Sequence, residues 1–333
     1  MKNLLLLSTV FYSFFSCAQS SKEYAIVNTY HIASPGGWDY ITINGGKLYV
    51  THSTQVNILN EDTGDSIGLI PNTNGVHGIA FDNELSKGFT SNGRDNNVTV
   101  FDLKTNAELA RITTSENPDA ILYEPYTKTI VTCNGRGKNL SFIDPKTDKV
   151  IATTDVGGKP ETAVSDEEGK IFVNIEDKNE IVEVDIKSHA VKNRWPLNGA
   201  EGPTGLAYDK HTKRLFAGCE KTLVVMNAVN GKIIDKLPIG AGCDGVAFDT
   251  KNQLIYASNG EGTLTVIKEL NADKFSVEGN YATKRGARTI ALDDKTGTLF
   301  LPTADFEANT TPNTRPKMIR GTFQVLVVKS SKK

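Results

Sequence analysis

Short apolar runs divided by polar turns fill this chain from Trp38 almost to its end. Around Val76 the order is GIAF, KGFTS, VTVFD and ELARI, separated by DNELS, NGRDN and LKTNA. The runs are rich in Val, Ile, Thr, Phe and Tyr and bounded by Gly, Asn and Asp, which is the signature of strands. No stretch shows the 3.6-residue period of an amphipathic helix. The pattern also returns. Aligning the apolar residue after each short polar pair gives Ile41, Ile79, Ile121, Ala163, Leu206, Val246 and Ile290, at spacings of 38, 42, 42, 43, 40 and 44 residues. Four strand-like runs per copy, about every forty residues, is the period of a propeller blade. The expected fold is therefore all-β: a seven-bladed β-propeller of four-stranded antiparallel blades.

The last copy supplies only three runs, ARTIALD, TLFLPT and TFQVLVV, before the chain ends in KSSKK. Ahead of the first copy stands AIVNTYHIASPGG, which reads like the outer strands VIATTDVGGKP and KIIDKLPIGAG. It is expected to complete the seventh blade and close the ring without a free sheet edge. Residues 21–333 are then one domain.

LYVTH (Leu48–His52) and IYASN (Ile255–Asn259), with second runs that repeatedly end in Asn-Gly, resemble the YVTN-repeat β-propellers. That resemblance covers nearly all of the chain after the leader and implies a bacterial or archaeal exported or surface-layer propeller. His52 departs from it, standing where the name-giving Asn would be. The family implies little about activity. Related-looking blades occur in the haem-binding domain of a nitrite reductase, in amine dehydrogenases and in lactonases, and fold alone does not choose among them.

The first twenty residues read differently. Lys2 precedes an apolar stretch, Leu4 to Phe15, too short for a membrane span and the right size for a signal sequence. Two endings fit: a lipobox that leaves Cys17 lipidated as the first mature residue, or ordinary cleavage at Ser16-Cys17-Ala18. Either predicts export to the periplasm or cell envelope, with membrane contact only through a lipid anchor. Cys133, Cys219 and Cys243 remain, an odd number, so at least one thiol is free. The net charge of −2 and the lack of a basic run beyond the terminal KSSKK argue against a nucleic-acid partner.

In this fold the loops into the inner strands and the loops from second to third strand open on one face. The first set offers Asp39, His77, Asp119, Glu161, Thr204, Asp244 and Arg288. The second offers His52, Asn92, Arg94, Asp95, Asn134, Arg136, Glu176 and Asn259. Trp38 stands at the first inner strand, and Asp305 opens a long seventh loop, Asp305–Gly321, stiffened by Pro312 and Pro316 and expected to lie over or beside the mouth. These are the candidate ligand-binding residues of a binding or scaffold protein, whose partner is a small polar ligand or another envelope protein. The alternative is a lactonase-like hydrolase or lyase. For it, Asp39, Asp119, Glu161 and Asp244 would supply oxygen ligands to Ca²⁺ or Mg²⁺. His52 with His77 is a third option, for a transition metal or haem. There is no G-x-S-x-G, no dinucleotide fingerprint and no C-x-x-C-H, and no catalytic residue is assigned.

Overall fold

The computed structural model describes residues 23–308 and 316–331. Cys17 and the rest of the leader lie outside the described residues, as does Pro312. Among the described residues, twenty-eight strands form seven four-stranded antiparallel sheets. Six sheets follow chain order, inner strand first. The seventh is completed by Tyr24–His31, which pairs with Gln324–Ser330. The molecule is thus a seven-bladed β-propeller closed by its N-terminal strand. Among the described residues there is no α-helix, only a one-turn 3₁₀ segment at Glu176–Lys178.

The alternation of the runs explains the packing. Blades pack face to face, and each of the seven seams carries its own apolar cluster. Phe142 and Val131 meet Val173 and Val182 between the third and fourth blades. Tyr30, Phe300 and Val325 meet Leu48 and Leu59 where the ring closes. The third residue of most second strands is a buried aromatic: Tyr49, Phe89, Phe172, Phe216, Tyr256 and Phe300. These strands are buried on both faces, which is why their runs read as continuously apolar. Cys133, Cys219 and Cys243 are all free and buried within the blades.

One irregularity matters for function. In five blades the inner strand slips register at its start, between Trp38 and Ile41, Val76 and Ile79, Pro118 and Ile121, Pro160 and Ala163, and Cys243 and Gly245. A slip of this kind takes residues out of the ladder and re-aims their side chains. The residues inside these slips include Asp39, His77, Asp119, Glu161 and Asp244.

Candidate functional site

Asp39, His77 and Asp119 come from three successive blades and meet at the mouth. Nδ1–H of His77 donates to Asp39 Oδ2 at 2.5 Å, and Asp119 Oδ1 lies 3.6 Å from the same nitrogen. The geometry is fixed from behind by the backbone. Ser91 Oγ–H donates to the Asp119 carbonyl, and Thr289 Oγ1–H donates to the Asp39 carbonyl at 2.6 Å. Burial alone would lower the His77 pKa, but Asp39, Asp119 and Glu161 outweigh it, and the imidazole sits above its ordinary value. Burial pushes the Asp119 carboxyl up, against the pull of His77.

On one side of this trio, Arg288 bridges Asp39 Oδ1 at 3.6 Å and forms a close pair with Asp244. On the other, Glu161 Oε1 stands 2.6 Å from Lys159 Nζ, which also pairs with Glu176. Burial works against the charge on Lys159, yet its two carboxylates hold its pKa above the usual range. Burial and the neighbouring Asp119 push the Glu161 carboxyl up. The four acids proposed as an oxygen cage therefore divide. Asp39 and Asp119 share His77, whereas Asp244 pairs with Arg288, which also reaches Asp39, and Glu161 shares Lys159 with Glu176. Beneath them, Tyr40 spans the channel from the first blade to the fourth, its hydroxyl 3.4 Å from Thr162 Oγ1.

The second ring is mixed. Arg94 and Arg136 are exposed at matching positions of the second and third blades, each after Asn-Gly, and neither guanidinium has a hydrogen bond or ion pair among the described residues. Asp95 faces Asn74 Nδ2 at 3.3 Å and Arg111 at 3.8 Å. Asn92, Asn134 and Asn259 do not reach the mouth. All three are fully buried. Asn92 Nδ2 donates to Asn97 Oδ1 and Thr99 Oγ1, both at 2.8 Å. Asn134 Nδ2 does the same to Asn139 Oδ1 and Ser141 Oγ, and Asn259 Nδ2 to Thr263 and Thr265. Their side chains turn inward to staple second strand to third.

His52 is also turned inward. It is fully buried and stacks on Phe323 at 3.9 Å between centroids. Its Nε2–H donates to the Gly36 carbonyl at 2.8 Å, and Nδ1 accepts from Ser34 Oγ at 2.6 Å. Burial lowers its pKa, only partly offset by the Gly36 bond. With both nitrogens engaged, it does not join His77 in a metal or haem site; it ties the closing segment to the first blade. Trp38 is half-buried, stacked on Phe323 and tilted against Phe306. Asp305 accepts from Lys284 Nζ at 3.0 Å and from Gln324 Nε2 at 3.1 Å. It anchors the seventh loop, whose described ends pair at Phe306 and Met318, with the Phe306 ring tilted against Trp38.

Sequence reasoning missed Lys159. It stands two residues before Glu161 in the loop leading into the fourth inner strand, and that spacing alone could have flagged it. In Ser91-Asn92-Gly93-Arg94 the glycine serves the space around it. A Cβ at Gly93 would come within 2.4 Å of Asn117 Nδ2 and 2.7 Å of His77 Nε2, so this glycine leaves room for the mouth histidine.

No model of a known protein family matches the chain, and no curated protein does. The YVTN-repeat resemblance is therefore not confirmed as membership. Solved structures do share the fold. A chain of hydrazine synthase from Kuenenia stuttgartiensis superposes with a TM-score of 0.71 at 15% identity, over 81% of this chain and 94% of that one. A chain of a mitotic checkpoint complex does so with a TM-score of 0.73 at 12% identity, over 90% of this chain and 95% of that one. At such identities the likeness is one of fold.

Proposed function

We propose that this chain is an exported binding or scaffold propeller, of the YVTN-repeat kind, that holds a small polar ligand with an anionic group at its mouth. One observation carries the reading. Arg94 and Arg136 stand side by side in blade order, exposed and without a side-chain partner among the described residues, over the blades that contribute His77 and Asp119. A guanidinium left free on a rigid loop is suited to forked hydrogen bonds with carboxylate or phosphate. The leader, with Lys2, the apolar stretch to Phe15 and Cys17, supports export. An envelope protein presenting an acidic side chain or terminus would satisfy the same arginines. Thermal-shift screening of small carboxylates and phosphates at low salt tests the reading. A ligand should raise the unfolding midpoint of the wild type and fail to do so for Arg94→Ala/Arg136→Ala. A ligand that shifts both proteins equally would place the site elsewhere.

A further inference from the structure

The Asp39–His77–Asp119 trio has a feature that its neighbours lack. Asp244 and Glu161 are each neutralised by a basic side chain. The Asp119 side chain is only 12% exposed, and its carboxylate accepts no hydrogen bond among the described residues. Its nearest cation is the His77 Nδ1, 3.6 Å away and already engaged with Asp39. A carboxylate this buried wants a partner, and the open side of the trio is the place for one. One donor atom from each of the three residues lies within 4.8 Å of the other two.

We propose that Asp39, His77 and Asp119 form a binding site for a divalent first-row transition metal, with Zn²⁺ the preferred occupant. The proposal rests on the mouth being the functional face. Two carboxylate oxygens and an imidazole nitrogen suit zinc better than Ca²⁺ or Mg²⁺, which favour all-oxygen shells. Ligands on a tetrahedral zinc stand about 3.3–3.6 Å apart. The Asp39–His77 contact must open and the Asp119 side must settle inward, changes within reach of side-chain rotation. Arg288 lies on the Oδ1 side of Asp39, at 3.6 Å, which leaves Oδ2 for the metal. Three protein ligands leave a coordination position open toward the mouth, where the anionic ligand held by Arg94 and Arg136 would bind.

The test is titration of the chelator-stripped chain with Zn²⁺ and, for a spectroscopic signature, with Co²⁺. One equivalent should bind, and bound Co²⁺ should show the intense visible bands of low coordination. Asp119→Asn and His77→Gln should each weaken uptake by about 100-fold or more, beyond the cost of outer-shell changes. Glu161→Gln and Asp244→Asn, which remove an ion pair beside the trio but no ligand, should weaken uptake by no more than an outer-shell change, about 10-fold. Unfolding midpoints of the metal-free variants show whether each is folded. If Asp119→Asn is not, His77→Gln decides. The proposal fails if the wild type takes up no stoichiometric metal, if a folded His77→Gln or Asp119→Asn binds unchanged, or if Glu161→Gln is as damaging as they are. Arg94→Ala/Arg136→Ala should keep its zinc while losing the anion, so the two readings fall separately.

Discussion

Asn92 shows how a residue can be conspicuous in sequence and still be misplaced. Asn-Gly at a strand end signals a turn, and a turn on the functional face suggests a ligand. The chain instead carries Thr90-x-Asn92 facing Asn97-x-Thr99, repeated as Thr132-x-Asn134 facing Asn139-x-Ser141. The pairing of those two triplets, invisible without the register, is the real signal. It marks a buried amide that stitches two strands. Replacing Asn92 with Ala strands the Thr90 hydroxyl and removes two donated bonds in a dry environment. The expected loss is about 2–3 kcal/mol, read from urea unfolding, with ligand binding at the mouth retained. The inner-strand residues fared differently. Asp39, His77, Asp119 and Asp244 follow from counting back from the aligned apolar residue, and a register slip takes each of them out of the ladder. Which acid pairs with which cation depends on side-chain reach across blades, and counting along one strand does not encode that.

At the scale of the element, the N-terminal strand was legible by default, because the seventh repeat lacked an outer strand and the chain offered one spare. Its docking was not. Tyr30 is buried, and its hydroxyl donates to the carbonyls of Glu61 at 3.0 Å and Asp62 at 2.9 Å in the first blade. Its ring occupies the space above Gly64, where a Cβ would come within 2.2 Å of it and φ is +76°. The closing strand thus completes the seventh sheet by hydrogen bonds and grips the first blade by one aromatic. Tyr30→Ala should cost about 3–5 kcal/mol, as large buried aromatics do. Native-state hydrogen exchange should show Gln324–Ser330 losing protection before the interior blades, since that strand would become an open edge. Equal loss of protection in all blades would mean that the ring opens only as a whole.

For the whole molecule, the seven-fold repeat made the architecture readable, because each blade buries its faces only against a neighbour and the apolar pattern must therefore recur. The same stacking buries acids along the blades, and this sets the pH response. Glu269 is almost wholly inaccessible, accepts from Thr212 Oγ1 at 2.8 Å through Oε1, and has no partner for Oε2 among the described residues. Burial pushes its pKa up to about 7, with Thr212 and Arg214 pulling down and Asp209 pushing up. Burial likewise raises Asp294 and Glu61. A native state that binds protons more tightly than the unfolded chain has this stability in full below the ordinary carboxyl range. It loses it as pH rises through the folded values. Asp102, Asp144 and Asp185 are held low, chiefly by hydrogen bonds from Thr105, Lys146 and Ser188, and weaken the fold only in stronger acid. The unfolding midpoint should therefore peak on the acid side and fall between about pH 5 and 8. Glu269→Gln, which keeps the shape and cannot ionise, should flatten that fall by on the order of 1–2 kcal/mol. A variant whose midpoint tracks the wild type across the whole range would show that Glu269 is not the group that titrates there.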